Sequence, residues 1–304
     1  MDIFIKGNRK YLITCSCAFA GCLLMITNSP LAVNAAKKAI GLWLTDVVPA
    51  MLPFFICVNY LSFSGITAYL PEKIFPFAMS VLSGYPMGAK IIGDMCRSGR
   101  TDIREAKRLV SFCSTSGPVF IIGAVGIGML GSQKAGIIVA LAHYAGAVCN
   151  GVVYTAFFRK RGTAVSGNGL QTAAPQGDFA DAAVSSFKSL GIILVYIIIF
   201  MFIGDFLDEA GVFDLLDSPA ALCAARGFLE MTVGCSYITA SGLEKIYECV
   251  FASAIISWGG LSVIGQSASM LTGTGINAGY IIITKLTHSI LAGIIALFMG
   301  TLML

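Results

Sequence analysis

At 304 residues, with 57% hydrophobic and 12% charged, the chain carries about half the charge of an ordinary soluble domain, so lipid is its expected solvent. The net charge of +4 is small, and Lys and Arg fall at segment ends, which excludes an electrostatic nucleic-acid surface. Ten cysteines lie scattered through apolar stretches without a C-x-x-C pair, and G-x-S-x-G, H-E-x-x-H and P-loop patterns are absent; neither a disulfide framework, a metal site, a cofactor nor an enzyme activity is expected.

Residues 11–27 (YLITCSCAFAGCLLMIT) follow Lys6, Arg9 and Lys10. They read as a retained first transmembrane helix, since further spans follow and no small-x-small cleavage site stands out. Crossing a bilayer takes about 20 apolar residues, and 39–66, 135–158, 185–207 and 277–303 also reach that length. Between them, 74–82, 86–96, 105–131, 219–234 and 241–271 are apolar but short or interrupted. The interruptions are SGYP (83–86), SGP (116–118), MTVG (231–234) and SWGG (257–260). Residues 162–180 are small, polar and contain Pro and Gly, as a linker does. The expected organisation is an N-terminal helix and connection (1–38), a first repeat (39–161), the linker, and a second repeat (181–304).

The order long helix, broken hairpin, broken helix, long helix occurs twice. Gly84 and Gly227 lie 143 residues apart, as do Gly117 and Gly260, and the only histidines, His143 and His288, fall in the last helix of each half. Charge sets the orientation. With the N-terminus cytoplasmic, the first helix exits and 39–66 returns. Segment 71–97 then enters and leaves from the cytoplasmic side, 105–131 crosses out, 135–158 crosses back and 185–207 leads outside. Segment 217–243 dips in from outside, and 244–272 and 277–303 place the C-terminus outside. Thirteen of the 20 Lys and Arg are then cytoplasmic, four are outside, and Lys90, Arg226 and Lys285 sit at membrane depth. A full crossing by 71–97 would put the clusters Arg97–Arg108 and Arg159–Arg161 outside, against the rule. The expected fold is an all-α polytopic membrane protein with an inverted-topology repeat, each half holding long helices, a re-entrant helical hairpin and a broken helix.

Non-helical backbone at membrane depth survives only buried in protein or lining a polar cavity. Four breaks meeting near the midplane offer half-helix N-termini and free carbonyls to a solute or a cation. The candidate binding residues are Ser83, Gly84 and Tyr85 at the first tip and Thr115, Ser116 and Gly117 at the first break. Glu230 and Thr232 lie at the second tip, and Ser257, Trp258 and Gln266 around the second break. Glu230 is open to two readings: a ligand for a ribose hydroxyl, an amine or a proton, or a partner of Arg226 or Lys285. Lys90 either binds an anion, stands in for sodium, or snorkels to the cytoplasm, with Asp94 one turn on as a charge partner. The hydroxyls bind ligand or cap half-helices; Trp258 stacks on a nucleobase or packs. Gln266 and Asn150 line a pore or join helices. His143 and His288 carry protons or hold helices together, and Asp46 pairs with a positive residue.

SGYPMGAKIIGDM (83–95), STSGPVFIIGAVGIGMLGS (114–132), HY (143–144), GFLEMTVG (227–234), SWGGLSVIGQ (257–266) and KLTHS (285–289) resemble the membrane proteins with nucleoside-recognition, or Gate, domains, in particular the YlbJ-type sporulation integral membrane protein family. The resemblance runs from about residue 39 to the C-terminus and departs at Ile264-Gly265, where a histidine is expected near Gln266. Gate domains are distantly similar to the cores of concentrative nucleoside transporters. The resemblance therefore implies a substrate site between two hairpin tips and two broken helices, with a coupled cation, sodium or a proton, beside the first tip. The implied function is alternating-access transport of a nucleoside-like or other small polar solute across the cell membrane. The alternative is a non-transporting sporulation membrane component or scaffold. The implied partners are the solute and the bilayer, with homo-oligomerisation left open.

Overall fold

The computed structural model describes residues 2–64, 74–158 and 177–304. The linker up to residue 176, Arg159–Arg161, residues 71–73 of the first hairpin segment, and the side chains of residues 2–14 and Asp46 lie outside the described residues. Every described element is a helix. The order is α1 (Asp2–Thr27), α2 (Ser29–Leu42), a π-helical segment (Trp43–Val47), α3 (Val48–Phe63), α4 (Ile74–Ser83), α5 (Met87–Arg97), α6 (Ile103–Phe112) and a π-helix (Val119–Met129). Then follow α7 (Gln133–Phe158), α8 (Phe179–Glu209), α9 (Pro219–Leu229), α10 (Met231–Ser236), α11 (Lys245–Trp258), α12 (Gly260–Met270) and α13 (Ala278–Met303), with two 3-10 turns, Phe213–Leu215 and Thr239–Ser241.

Local chemistry fixes the ends of these helices. Asp178 and Asp181 form a reciprocal capping box that starts α8 ahead of its apolar run. Asp102 accepts from Arg104 and Glu105 N–H at the start of α6, Ser218 caps α9 with Pro219 following, and Asn277 caps α13. Four stretches are long and apolar enough to cross a membrane: α7, α8, the broken pair α11–α12, and α13. Their outer faces carry exposed Val195, Ile283, Ile294, Phe298 and Leu302, a surface only lipid solvates well. The 31 residues of α8 rise about 46 Å, more than the roughly 30 Å hydrocarbon core, so it tilts or projects.

The N-terminal region departs from the expected straight crossing by 11–27 followed by a span at 39–66. The second helix starts earlier, at Ser29, and runs through the π segment to Phe63, while α1 meets it at a bend of 100°. Pro30 in the first turn suits a fresh helix start. Pro49 and Pro53 withhold N–H groups from the next turns, and the π segment falls just ahead of Pro49.

The two halves repeat one plan. The first has α3, the hairpin α4/α5, a helix broken between α6 and the π-helix 119–129, and α7. The second has α8, the hairpin α9/α10, a helix broken between α11 and α12, and α13. Equivalent elements meet across the middle: α3 packs along α8, and α7 along α13. The crossed pairs match too, with α5 on α12 and α10 on the π-helix. The hairpin arms turn back on themselves. A Cβ built on Gly88 would stand 2.8 Å from the Ser80 Cβ and 1.7 Å from the Cys113 carbonyl oxygen, and one on Gly234 would stand 2.2 Å from the Gly227 Cα. The arms have 10, 11, 11 and 6 residues, hence lengths of about 9–17 Å, too short to cross the roughly 30 Å hydrocarbon core. Ile121, Val125, Ile138 and Val139 pack with Ile255 and Ile256 in one part of the core, and Phe55, Leu190 and Ile193 pack with Met87, Ile91 and Met95 in another.

Filling the gap at Gly88 should separate the first hairpin from the broken helix. Gly88→Val is expected to lower stability by roughly 3 kcal/mol or more and to depress the thermal unfolding midpoint of the purified protein. Gly191→Ala, with nothing within 4 Å of the added carbon, should leave the midpoint unchanged or slightly raised.

Candidate functional site

Each hairpin tip rests on the break of its own half, main chain against main chain. Gly84 has φ +78°, and a Cβ there would stand 2.7 Å from the Gly117 nitrogen. In the second half the roles are exchanged. Gly260, φ +75°, presses on the tip, and its Cβ would lie 2.9–3.0 Å from the Leu229 oxygen, the Glu230 Cα and the Met231 nitrogen. Positive φ and backbone contact together require glycine at both positions.

A buried polar cluster joins the two junctions. Tyr85, on the first tip, donates to the Ile256 carbonyl just before the second break (3.0 Å) and accepts from the Lys285 Nζ (2.6 Å). Lys285 also donates to the Ser114 carbonyl in the first break (3.1 Å), and its Cε lies beside Gly259 in the second. The Nε2 of His143 accepts from the Ser116 N–H (3.0 Å), so in the neutral ring Nδ1 carries the proton and donates to the Ser257 Oγ (2.8 Å). The Nε2 of His288 meets the His143 carbonyl at 2.9 Å, and the two rings lie 4.8 Å apart. Tyr144 donates to the Ser116 carbonyl (2.9 Å), and Thr115 shares a hydrogen bond with Ser80 (3.0 Å). Asn150 donates to the Ser111 and Thr284 carbonyls (2.6 and 3.1 Å) and accepts from Thr287 (2.7 Å). The first tip, both breaks and the last helix of each half thus meet in one network.

The other expected site residues lie apart from this centre or are already engaged. Glu230 caps α10 by accepting from the Val233 N–H (2.8 Å). Its alternative as a partner of Arg226 or Lys285 is corrected: Arg226 pairs with Asp208 (2.8 Å) and stacks over Phe213 and Tyr237. Glu230 and Arg226 do line one small cavity of about 20 Å³ with Asp205 and Phe200; Thr232 is buried next to Glu230 in α10. Trp258 stacks on Phe228 (5.2 Å between rings, 12° between planes) and donates to the Phe228 carbonyl. Gln266 donates within its own helix to Ser262 (3.2 Å), and Ser83 donates to the Met79 carbonyl. The Lys90–Asp94 pair is not formed. Lys90 turns toward α3 and α8, donating to Asn59 (2.6 Å) and Ser185 (3.2 Å), whereas Asp94 faces outward and pairs with Arg97 (2.7 Å). Sequence alone offers Lys285 only as a counter-charge; its signal is a lysine inside the apolar run after Ile281–Ile283, three residues before His288. A larger cleft of about 410 Å³ lies on the flank of α6 and α7, lined by Phe77, Phe112, Val148 and Val152. Among the described residues no group of three or more His, Cys, Asp or Glu is placed to hold a metal ion.

Long apolar helices, polar groups sequestered at the centre and an apolar exterior define a multi-pass integral membrane protein. No family model and no solved structure matches the chain. Its sequence is 26% identical, over 322 aligned positions covering 90% of this chain and 79% of the relative, to the sporulation integral membrane protein YlbJ of Bacillus subtilis (strain 168). The likeness runs along nearly the whole chain and is to an integral membrane protein, as the fold itself is.

The capping role of Glu230 separates two substitutions. Glu230→Ala loses the acceptor for the Val233 N–H and should cost about 1 kcal/mol. Glu230→Gln keeps a carbonyl acceptor and should cost less. Thermal unfolding of both variants checks this; equal losses would show that the charge, not the cap, is what the fold uses.

Proposed function

We propose that the chain carries a small polar solute, nucleoside-like or similar, across the membrane by alternating access between its two halves. The observation that carries this reading is the junction geometry: two hairpin tips on two helix breaks, joined by buried hydroxyl, imidazole and ammonium groups. Irregular backbone at the centre of a membrane protein is costly unless it is used, and discontinuous helices facing each other across a repeat interface are a familiar way to build a midplane site. Tyr85, Lys285, His143 and Ser257 cross the interface between halves, so a rocking motion of one half on the other breaks and remakes their bonds. The packed centre is read as an occluded conformation. The orientation follows the charge rule, with the Arg97–Arg108 connection in the cytoplasm. The competing reading, a sporulation-linked membrane component that carries nothing, draws on the name of the B. subtilis relative and on how many of the central side chains bond to one another.

Reconstituted vesicles decide between them. Purified protein should accumulate at least one radiolabelled solute from a panel of nucleosides, amino acids and small carboxylates and phosphates. Tyr85→Phe, which loses the hydroxyl bonded to Lys285 and Ile256, should cut the initial rate about tenfold, the equivalent of about 1.4 kcal/mol. Uptake equal to protein-free vesicles across the panel would leave the scaffold reading.

A further inference from the structure

Lys285 is a buried lysine without a carboxylate partner among the described residues. Its side chain is 2% exposed, and among the described residues no carboxylate comes within ion-pair distance of it: the ion pairs involve Lys38, Arg97, Arg108, Arg226 and Lys245. Burying a charge unpaired is expensive, and an intramembrane ionisable group points to function. The ammonium has three N–H donors. Tyr85 and Ser114 accept two; the Nζ also lies 3.9 Å from the Tyr85 ring centroid, and no third oxygen or nitrogen acceptor meets it among the described residues.

Gly259 lies against the Lys285 stem where α11 ends and α12 begins, so the opposite dipole ends of the two half-helices meet beside the lysine and largely offset. An independent feature lies in the first break, next to the Ser114 carbonyl. Ser116, two residues beyond Ser114, is wholly buried and gives its N–H to His143 and its carbonyl to Tyr144, yet its hydroxyl has no partner. A buried hydroxyl left unbonded carries a desolvation cost that a ligand would relieve.

We propose that Lys285 and Ser116 form an oxyanion subsite at the junction of the two breaks, taking the carboxylate or phosphate of a small solute. The ammonium supplies the counter-charge and a charge-assisted hydrogen bond, the serine hydroxyl supplies a second donor, and withdrawal of the Tyr85 tip opens the way in. The inference rests on the transport reading for the role of the site and narrows its substrate class to anions.

The test uses the full chain in lipid nanodiscs, followed by thermal unfolding at constant ionic strength with inorganic phosphate, uridine 5′-monophosphate, acetate or neutral uridine added. Phosphate-bearing probes, acetate or both should raise the midpoint by on the order of 5 °C near saturation, and the two arms separate phosphate from carboxylate recognition; uridine should give no rise. Lys285→Met should raise the ligand-free midpoint and abolish the anion shift. Ser116→Ala, which breaks no bond present in the structure, should fold normally and reduce the shift. No shift with any anion in the unsubstituted chain, or an equal shift in Lys285→Met, would overturn the subsite. Vesicle uptake separates the two readings. An anion shift without accumulation keeps the subsite and removes transport, whereas uridine accumulation without an anion shift keeps transport and removes the subsite.

Discussion

Lipid offers no hydrogen-bond partner to the peptide group, and the placement of this chain's polar side chains follows from that one constraint. The breaks and tips expose carbonyls and N–H groups that a continuous helix would have paired. Several conspicuous polar residues are spent on them. Lys285 serves the Ser114 carbonyl, Tyr144 and His143 serve the two sides of Ser116, and Tyr85 serves Ile256. Trp258 serves Phe228, Glu230 serves Val233, and Asn150 serves Ser111 near the end of α6. The side chains that a sequence reader nominates as ligands are largely the ones that make irregular backbone tolerable.

The same economy explains why the centre joins the two halves rather than sealing each one. The Tyr85–Lys285 bond connects residues 200 apart, and His143–Ser257 connects residues 114 apart. Bonds of this kind hold one relative placement of the halves and are lost in another, so they define discrete states rather than a continuum of small shifts. The apolar packing of α3 on α8 and of α7 on α13 supplies cohesion with little directional preference. The polar junctions supply the register.

The hairpins and breaks were legible in the sequence because lipid makes Gly and Pro informative. SGYP, SGP and SWGG each interrupt an apolar run where an uninterrupted helix would be the default, and each is an interruption in the structure; MTVG (231–234) instead opens α10, and the break falls one residue earlier, at Glu230. The long helices 135–158 and 277–303 emerged close to their observed ends for the opposite reason, since nothing in them opposes helix. The 100° turn after Thr27 and the early start at Ser29 were not legible, because Ser-Pro inside an apolar stretch reads equally as a kink. Pairings were the weakest part. Helical spacing put Asp94 within reach of Lys90, but the face on which Lys90 lies meets Asn59 and Ser185, which no local rule anticipates. Arg226 found Asp208 from the preceding helix, and the isolation of Lys285 is a property of three elements meeting in space.

The central claim is that each hairpin enters the membrane and returns to the side it came from, the two doing so from opposite sides. With the ten native cysteines replaced, single cysteines at Ile74, Arg100, Asp217 and Gly242 can be reacted with an impermeant maleimide applied to one face of sealed vesicles. The account predicts that Ile74 and Arg100 react together from one face and Asp217 and Gly242 together from the other. Reaction of Ile74 and Arg100 from opposite faces would contradict it.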